Sequence, residues 1–211
     1  MELRKAFLLG ALFATCVHAS GQGDTEQKMV IIVDPGHGGI DSGAIGINGL
    51  SEKELTLNLA EAILRYNNTL LDNRYDIYLT RYADTLISLS HRTRLAKALK
   101  PDLFISLHCN HANNAKASGL EIYLHDSPLP QGHMAMAKAM ETHLKTKLGY
   151  RGRGVKRANF QVLRDNTAVC PALLLELGFL SHLDEARHLE RKENISALGL
   201  AVLTGIKKLL E

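Results

Sequence analysis

"MVIIVDPGHGGIDSGAIG", residues 29–46, joins a continuous apolar run to a turn that holds a proline, five glycines and a single histidine. Residues 29–33 offer no polar position to water, so they read as a strand buried on both sides. An ordinary strand-to-helix connection needs far fewer glycines. The excess reads as clearance around His37, which the turn presents. A phosphate-cradling loop is excluded, because the G-x-G-x-x-G order opening a helix is missing. Asp34 is a candidate for orienting His37, and as an Asp before Pro it also has a plain turn-initiating role.

Working outward, short apolar runs at 75–80, 102–107, 119–124, 159–163 and 171–177 read as further strands. Helical spacing appears in 52–66 (Leu55, Leu59, Ile63), in 134–148 (Ala137, Met140, Leu144, Leu148) and in 194–210 (Ile195, Leu198, Val202, Ile206, Leu209). A fourth helix, 90–100, should stop at Pro101, and the helix over 134–148 at Gly149. Strands alternating with helices, the strands apolar throughout, predict an α/β fold: a single domain whose central sheet is covered by helices on both faces. No linker, repeat or low-complexity tract divides 28–211.

The composition is that of a globular enzyme, with 45% hydrophobic and 22% charged residues. A formal charge of +3 with no dense Lys/Arg run gives no footing for nucleic acid. The first residues differ in kind. Arg4 and Lys5, an apolar stretch from Ala6 to Val17 and a small residue at Ala19 predict a secretory signal peptide over 1–19. A membrane anchor needs a longer apolar run, and a lipoprotein reading at Cys16 fits poorly beside Phe13 and Thr15. Export would leave Cys109 and Cys170, read here as two free thiols. The expected location is periplasmic or cell-wall associated.

In open α/β sheets, chemistry collects at the carboxyl ends of strands. That filter selects His37, His108, His125 and Glu176. Two imidazoles and a carboxylate make a usual catalytic zinc set. Glu52 and Glu54 compete for the acidic position. "SEKE" (51–54) reads as a capping box that occupies Glu54, which leaves Glu52 free, although a helix-dipole charge would also account for it. His108 and His111 both remain candidates for the second imidazole. Glu176, inside "CPALLLELGF", is a carboxylate in an apolar run, where an unpaired charge is expensive. It needs an ion-pair partner, a raised pKa or a metal; the functional reading is a general base.

The blocks "VIIVDPGHGGIDSGAIGINGLSEKELTLNLA", "LTRYADTLISLSHRTRLAKALKPDLFISLHCNHA", "SGLEIYL" and "RGVKRANFQVLRDNTAVCPALLLELGFLS" resemble the zinc-dependent N-acetylmuramoyl-L-alanine amidases of the amidase type 3 (AmiC/CwlM-like) cell-wall hydrolase family. The likeness runs from about Lys28 to the C-terminus. It implies a twisted mixed sheet of about six strands, one zinc per chain on His37, Glu52 and His108, and Glu176 as the catalytic base. It also implies peptidoglycan as substrate, cut between the lactyl group of N-acetylmuramic acid and L-alanine. Cys109, His111, Lys97 and His182 depart from the commoner family residues without removing a ligand or the base. Some relatives carry a helical insertion that blocks the site until a partner moves it. Here the span from 108 to 176 is already filled, so an open site is expected, in a monomer whose activator protein, if it has one, is unknown. Two rival readings are an exported zinc carboxypeptidase or deacetylase, for which Arg81, Arg92, Arg94 or Arg164 could bind a carboxylate, and a non-catalytic wall-binding module.

Overall fold

The computed structural model describes residues 27–211; the expected export signal at 1–19 lies outside the described residues. Six strands form one mixed sheet: β1 (Val30–Pro35), β2 (Asp76–Leu79), β3 (Leu103–Asn110), β4 (Leu120–Leu124), β5 (Gly152–Arg157) and β6 (Ala172–Phe179). Their order is β2-β1-β3-β6-β4-β5. The first four in that order run parallel, β4 lies antiparallel to β6, and β5 is parallel to β4. Six helices cover the sheet: α1 (Glu52–Leu71), α2 (Leu89–Leu99), α3 (His133–Leu148), α4 (Gln161–Asn166), α5 (Leu183–Glu190) and α6 (Lys192–Leu210).

Strand alternation divides the interior in two. Ile31 and Val33 of β1, Leu103, Ile105 and Leu107 of β3, and Leu173 and Leu175 of β6 point to one side. There they pack with Leu59 and Ile63 of α1, Met140 and Leu144 of α3, and Leu198, Val202 and Leu203 of α6. Ile32, Phe104, Ala172 and Leu174 point to the other side, against Ala96 of α2 and Val162 and Leu163 of α4. The second cluster is much the smaller, because toward the carboxyl ends of the parallel strands that face turns polar. Asp34, Ser106, His108 and Glu176 follow there in the same alternating positions.

The alternation of elements holds, with one exchange of type. Residues 159–163, read from sequence as a strand, belong to the entry into α4: Val162 and Leu163 bury themselves as helical neighbours under α2. The sixth strand is instead Gly152–Arg157, "GRGVKR". It is an edge strand with one partner, and edges are commonly protected by charge rather than marked by apolar residues. Helix ends follow their chemistry: Gly149 closes α3 at φ 69°, and α2 ends before Lys100. The capping box at α1 forms only in part. Ser51 Oγ bonds to Glu54 Oε2 at 2.8 Å, and Ser51 makes no side-chain bond to the helix backbone. No helix among the described residues is long and apolar enough to cross a membrane.

Candidate metal centre

The turn after β1 carries His37 at φ 61°, a left-handed conformation that a non-glycine residue enters only when its surroundings hold it. Two buried guanidiniums do the holding. Arg92 donates to Pro35 O at 2.7 Å, to His37 O at 2.8 Å and to Asp34 Oδ1 at 2.5 Å. Arg81 donates to Gly36 O at 2.9 Å and Pro35 O at 3.2 Å. Asp34 is buried and also accepts from Thr80 and Ser106, so it neutralises Arg92 rather than touching His37. The residue that orients His37 is Asp41, whose Oδ2 lies 2.9 Å from Nδ1. Its signal in the sequence is local, an acid four residues after the histidine in the same loop.

With Nδ1 engaged, His37 turns Nε2 toward Glu52 Oε2, 3.1 Å away. Glu52 Oε1 lies 2.9 Å from His108 Nδ1 and accepts from the Cys109 amide at 3.0 Å. Oε2 also accepts from the Ala44 amide at 2.9 Å. Glu52 is thus a buried carboxylate bridging two imidazoles, which stand edge-to-face at 5.0 Å. Ligand atoms of His37, Glu52 and His108 all lie within 4.8 Å of one another. Glu54 stays with Ser51, and His111 lies exposed beyond the strand. His125, just after β4, falls at the opposite end of the sheet, because β4 runs antiparallel to β6. The carboxyl-end rule holds only for strands that run with the parallel set.

This donor set fits a divalent metal of the zinc type. Burial alone would lower the His37 imidazole, but hydrogen bonds to Glu52 and Asp41 overcome it and push its pKa up to about 9. Burial alone would raise the Glu52 carboxyl, but hydrogen bonds to His108 and His37 hold it well below the usual carboxylate range. A divalent cation among these atoms would satisfy the same anion. Two glycines keep the space open. A Cβ at Gly36 would collide with the His108 ring, and one at Gly43, itself at φ 63°, would stand 2.6 Å from both Glu52 Oε2 and His37 Cδ2.

Glu176 sits opposite His108 in the β3–β6 register. Its Oε2 is buried and has no hydrogen-bond partner among the described residues. Burial, reinforced by the charges of Glu52 and Glu121 and opposed by His108, pushes its pKa up to about 7. A cavity of about 450 Å³ opens over it, walled by His37 and His108, by Leu86 and Leu89 before and within α2, and by Phe160 and Val162 at α4. Cys109 and Cys170 are buried free thiols, as expected, and burial pushes Cys170 up to about 12.

Glu121 is a residue that the sequence reading misses. It pairs in register with Glu176 and is buried, accepting from Arg153 Nε and Lys156 Nζ at 2.5 Å each, from Tyr123 at 2.8 Å and from Asn110 at 3.0 Å. Its signal is a charged residue inside "GLEIYL", the same kind that marks Glu176. It lies at the start of β4, and only the strand's reversed direction brings it to the active end of the sheet.

Comparison with known proteins gives a consistent picture. A family model described as N-acetylmuramoyl-L-alanine amidase matches residues 31–208. The sporulation-specific N-acetylmuramoyl-L-alanine amidase of Bacillus subtilis is 35% identical over 182 residues, 84% of this chain and 67% of that relative. The catalytic domain of CwlV from Bacillus (Paenibacillus) polymyxa superposes with a TM-score of 0.78 at 31% identity, covering 86% of this chain and 98% of that one. AmiC2 of Nostoc punctiforme gives 0.79 at 30% identity, covering 87% and 98%.

Proposed function

Since the chain belongs to the N-acetylmuramoyl-L-alanine amidase family, we propose that it is a zinc-dependent hydrolase of the amide joining the lactyl group of N-acetylmuramic acid to L-alanine in peptidoglycan. Residues 28–211 form the catalytic domain, and 1–19 direct export to the periplasm or wall. The convergence of His37, Glu52 and His108 beside Glu176, a half-buried carboxylate with one oxygen buried and unpaired among the described residues, carries this reading.

His37, Glu52 and His108 would hold one zinc. Zinc, when bound, supplies a Lewis acid that polarises the scissile carbonyl and lowers the pKa of water toward ~7. Asp41 fixes the His37 tautomer so that Nε2 is the ligating atom. Glu176, with its pKa near neutrality, takes the proton of the attacking water and returns it to the alanine nitrogen as that amine leaves. Cleavage thus releases a stem peptide with a free amino terminus.

The carboxypeptidase alternative loses two of its candidate anchors. Arg81 and Arg92 are buried in the β1 turn and bonded to its carbonyls, so neither reaches a substrate carboxylate. The test is incubation of purified peptidoglycan with zinc-loaded protein, followed by mass spectrometry of the soluble products. Stem peptides beginning with L-alanine support the amidase; released D-alanine alone, or acetate, contradicts it.

A further inference from the structure

Beyond the metal ligands and the base, the row of residues along the active end of the sheet continues onto β5. Glu176 pairs with Glu121 on β4, and β4 pairs with β5, where Arg153 and Lys156 both reach back to Glu121 Oε1. One buried carboxylate therefore meets two cations, and in addition a phenol and an amide. These four donors fill the acceptor sites of the carboxylate, and the group carries a formal surplus of one positive charge. Burial alone would raise the Glu121 carboxyl, but hydrogen bonds from Lys156, Arg153 and Tyr123 hold it below its ordinary value, so the negative charge stays in place. Both cations remain accessible, at 30% exposure for Arg153 and 38% for Lys156. Arg153 lies over the Phe179 ring and Lys156 over Tyr123, which fixes them on the catalytic side of the sheet.

Resting on the amidase reading above, we propose that Arg153 and Lys156, anchored by Glu121, form a specificity subsite for a free carboxylate on the stem-peptide residue that follows the alanine. The spacing suits it. From β6 to β5 is two strand separations, about 10 Å, and a lysine or arginine side chain leans across part of that gap. An extended peptide advances about 3.5 Å per residue, so a carboxylate on the next residue falls within roughly 7 Å of the scissile nitrogen. Stem peptide then runs from β6 toward β5, and the glycan takes the cavity on the α2 side.

The test uses two muramoyl peptides that differ only in whether the residue after alanine bears a free carboxylate or its amide. Zinc-loaded wild type should cleave the acid with a KM about tenfold below that of the amide, the size of one charge-assisted hydrogen bond. Lys156→Met should remove that preference by raising KM for the acid alone, with kcat unchanged. Lys156→Arg should restore it. Arg153→Met provides a second variant should Lys156→Met lower the yield of folded protein, and circular dichroism checks both. Equal KM values for the two substrates in wild type, or an equal loss on both substrates in the variants, overturns the subsite while leaving the amidase intact. Wild type that cleaves neither peptide overturns the amidase reading and this proposal together.

Discussion

The two faces of the sheet are built on different principles. The face under α1, α3 and α6 is apolar from end to end, and its residues repeat with the period of the element that carries them. The face under α2 and α4 begins apolar at Ile32, Phe104 and Ala172, then passes through Asp34 and Ser106 to His108, Glu176 and Glu121. Buried charge there is answered, Asp34 by Arg92 and Glu121 by Arg153 and Lys156, and Glu52, which reaches the site from the start of α1, is answered by two imidazoles. Glu176 keeps an unanswered oxygen. One face supplies stability through area, the other holds charge in fixed positions, and the exception on the second is the carboxylate proposed above as the base.

Perturbing each face should therefore fail differently. Arg92→Met leaves Asp34 buried without its cation and frees the His37 turn. It should cost about 3–5 kcal/mol in urea unfolding, and it should weaken zinc binding as well. Leu203→Ala, in the fully buried contact of α6 with the apolar face, should cost about 2–5 kcal/mol through the cavity it opens. Its turnover per folded molecule should match wild type. Equal behaviour of the two variants in a zinc-content assay would erase the distinction.

Asp41→Asn is a milder probe of the polar face. It keeps the loop but weakens the acceptor that fixes the His37 ring, and should lower zinc affinity about 10–100-fold, read by competition with a chelator. The smallest effect concerns pH in the metal-free protein. The folded His37 pKa, about 9, lies above its ordinary value of 6.5. Its contribution to stability is then fully present below pH 6.5 and fades as pH rises through about 9. Chelator-treated protein should lose unfolding free energy across that window, and zinc-loaded protein should hold it.

Legibility in the sequence follows the same division. Leu55, Leu59, Ile63 and the α6 stripe announce themselves by period, and "MVIIV" by unbroken burial. The α/β architecture follows from these. On the polar face, charged residues inside apolar runs are readable one at a time, but their company is not. Glu52 and His108 are 56 positions apart, and no spacing rule links them; the family likeness singles them out. Glu121 and His125 are misjudged together, since one reversed strand carries the first to the active end of the sheet and the second away from it. "GRGVKR" hides as a strand because an edge needs charge where a central strand needs valine. Asp34 draws attention as an acid close to His37 in sequence, yet alternation points it into the sheet, and Asp41 in the loop does the orienting.

The claim that metal holding and proton transfer belong to different carboxylates is tested most directly by Glu176→Gln. Zinc content by elemental analysis and release of alanine-initiated peptides from peptidoglycan are measured on the same sample. One zinc per chain, with turnover reduced by at least about a thousandfold, is the predicted result. Turnover near the wild-type rate, or loss of the metal along with activity, would contradict it.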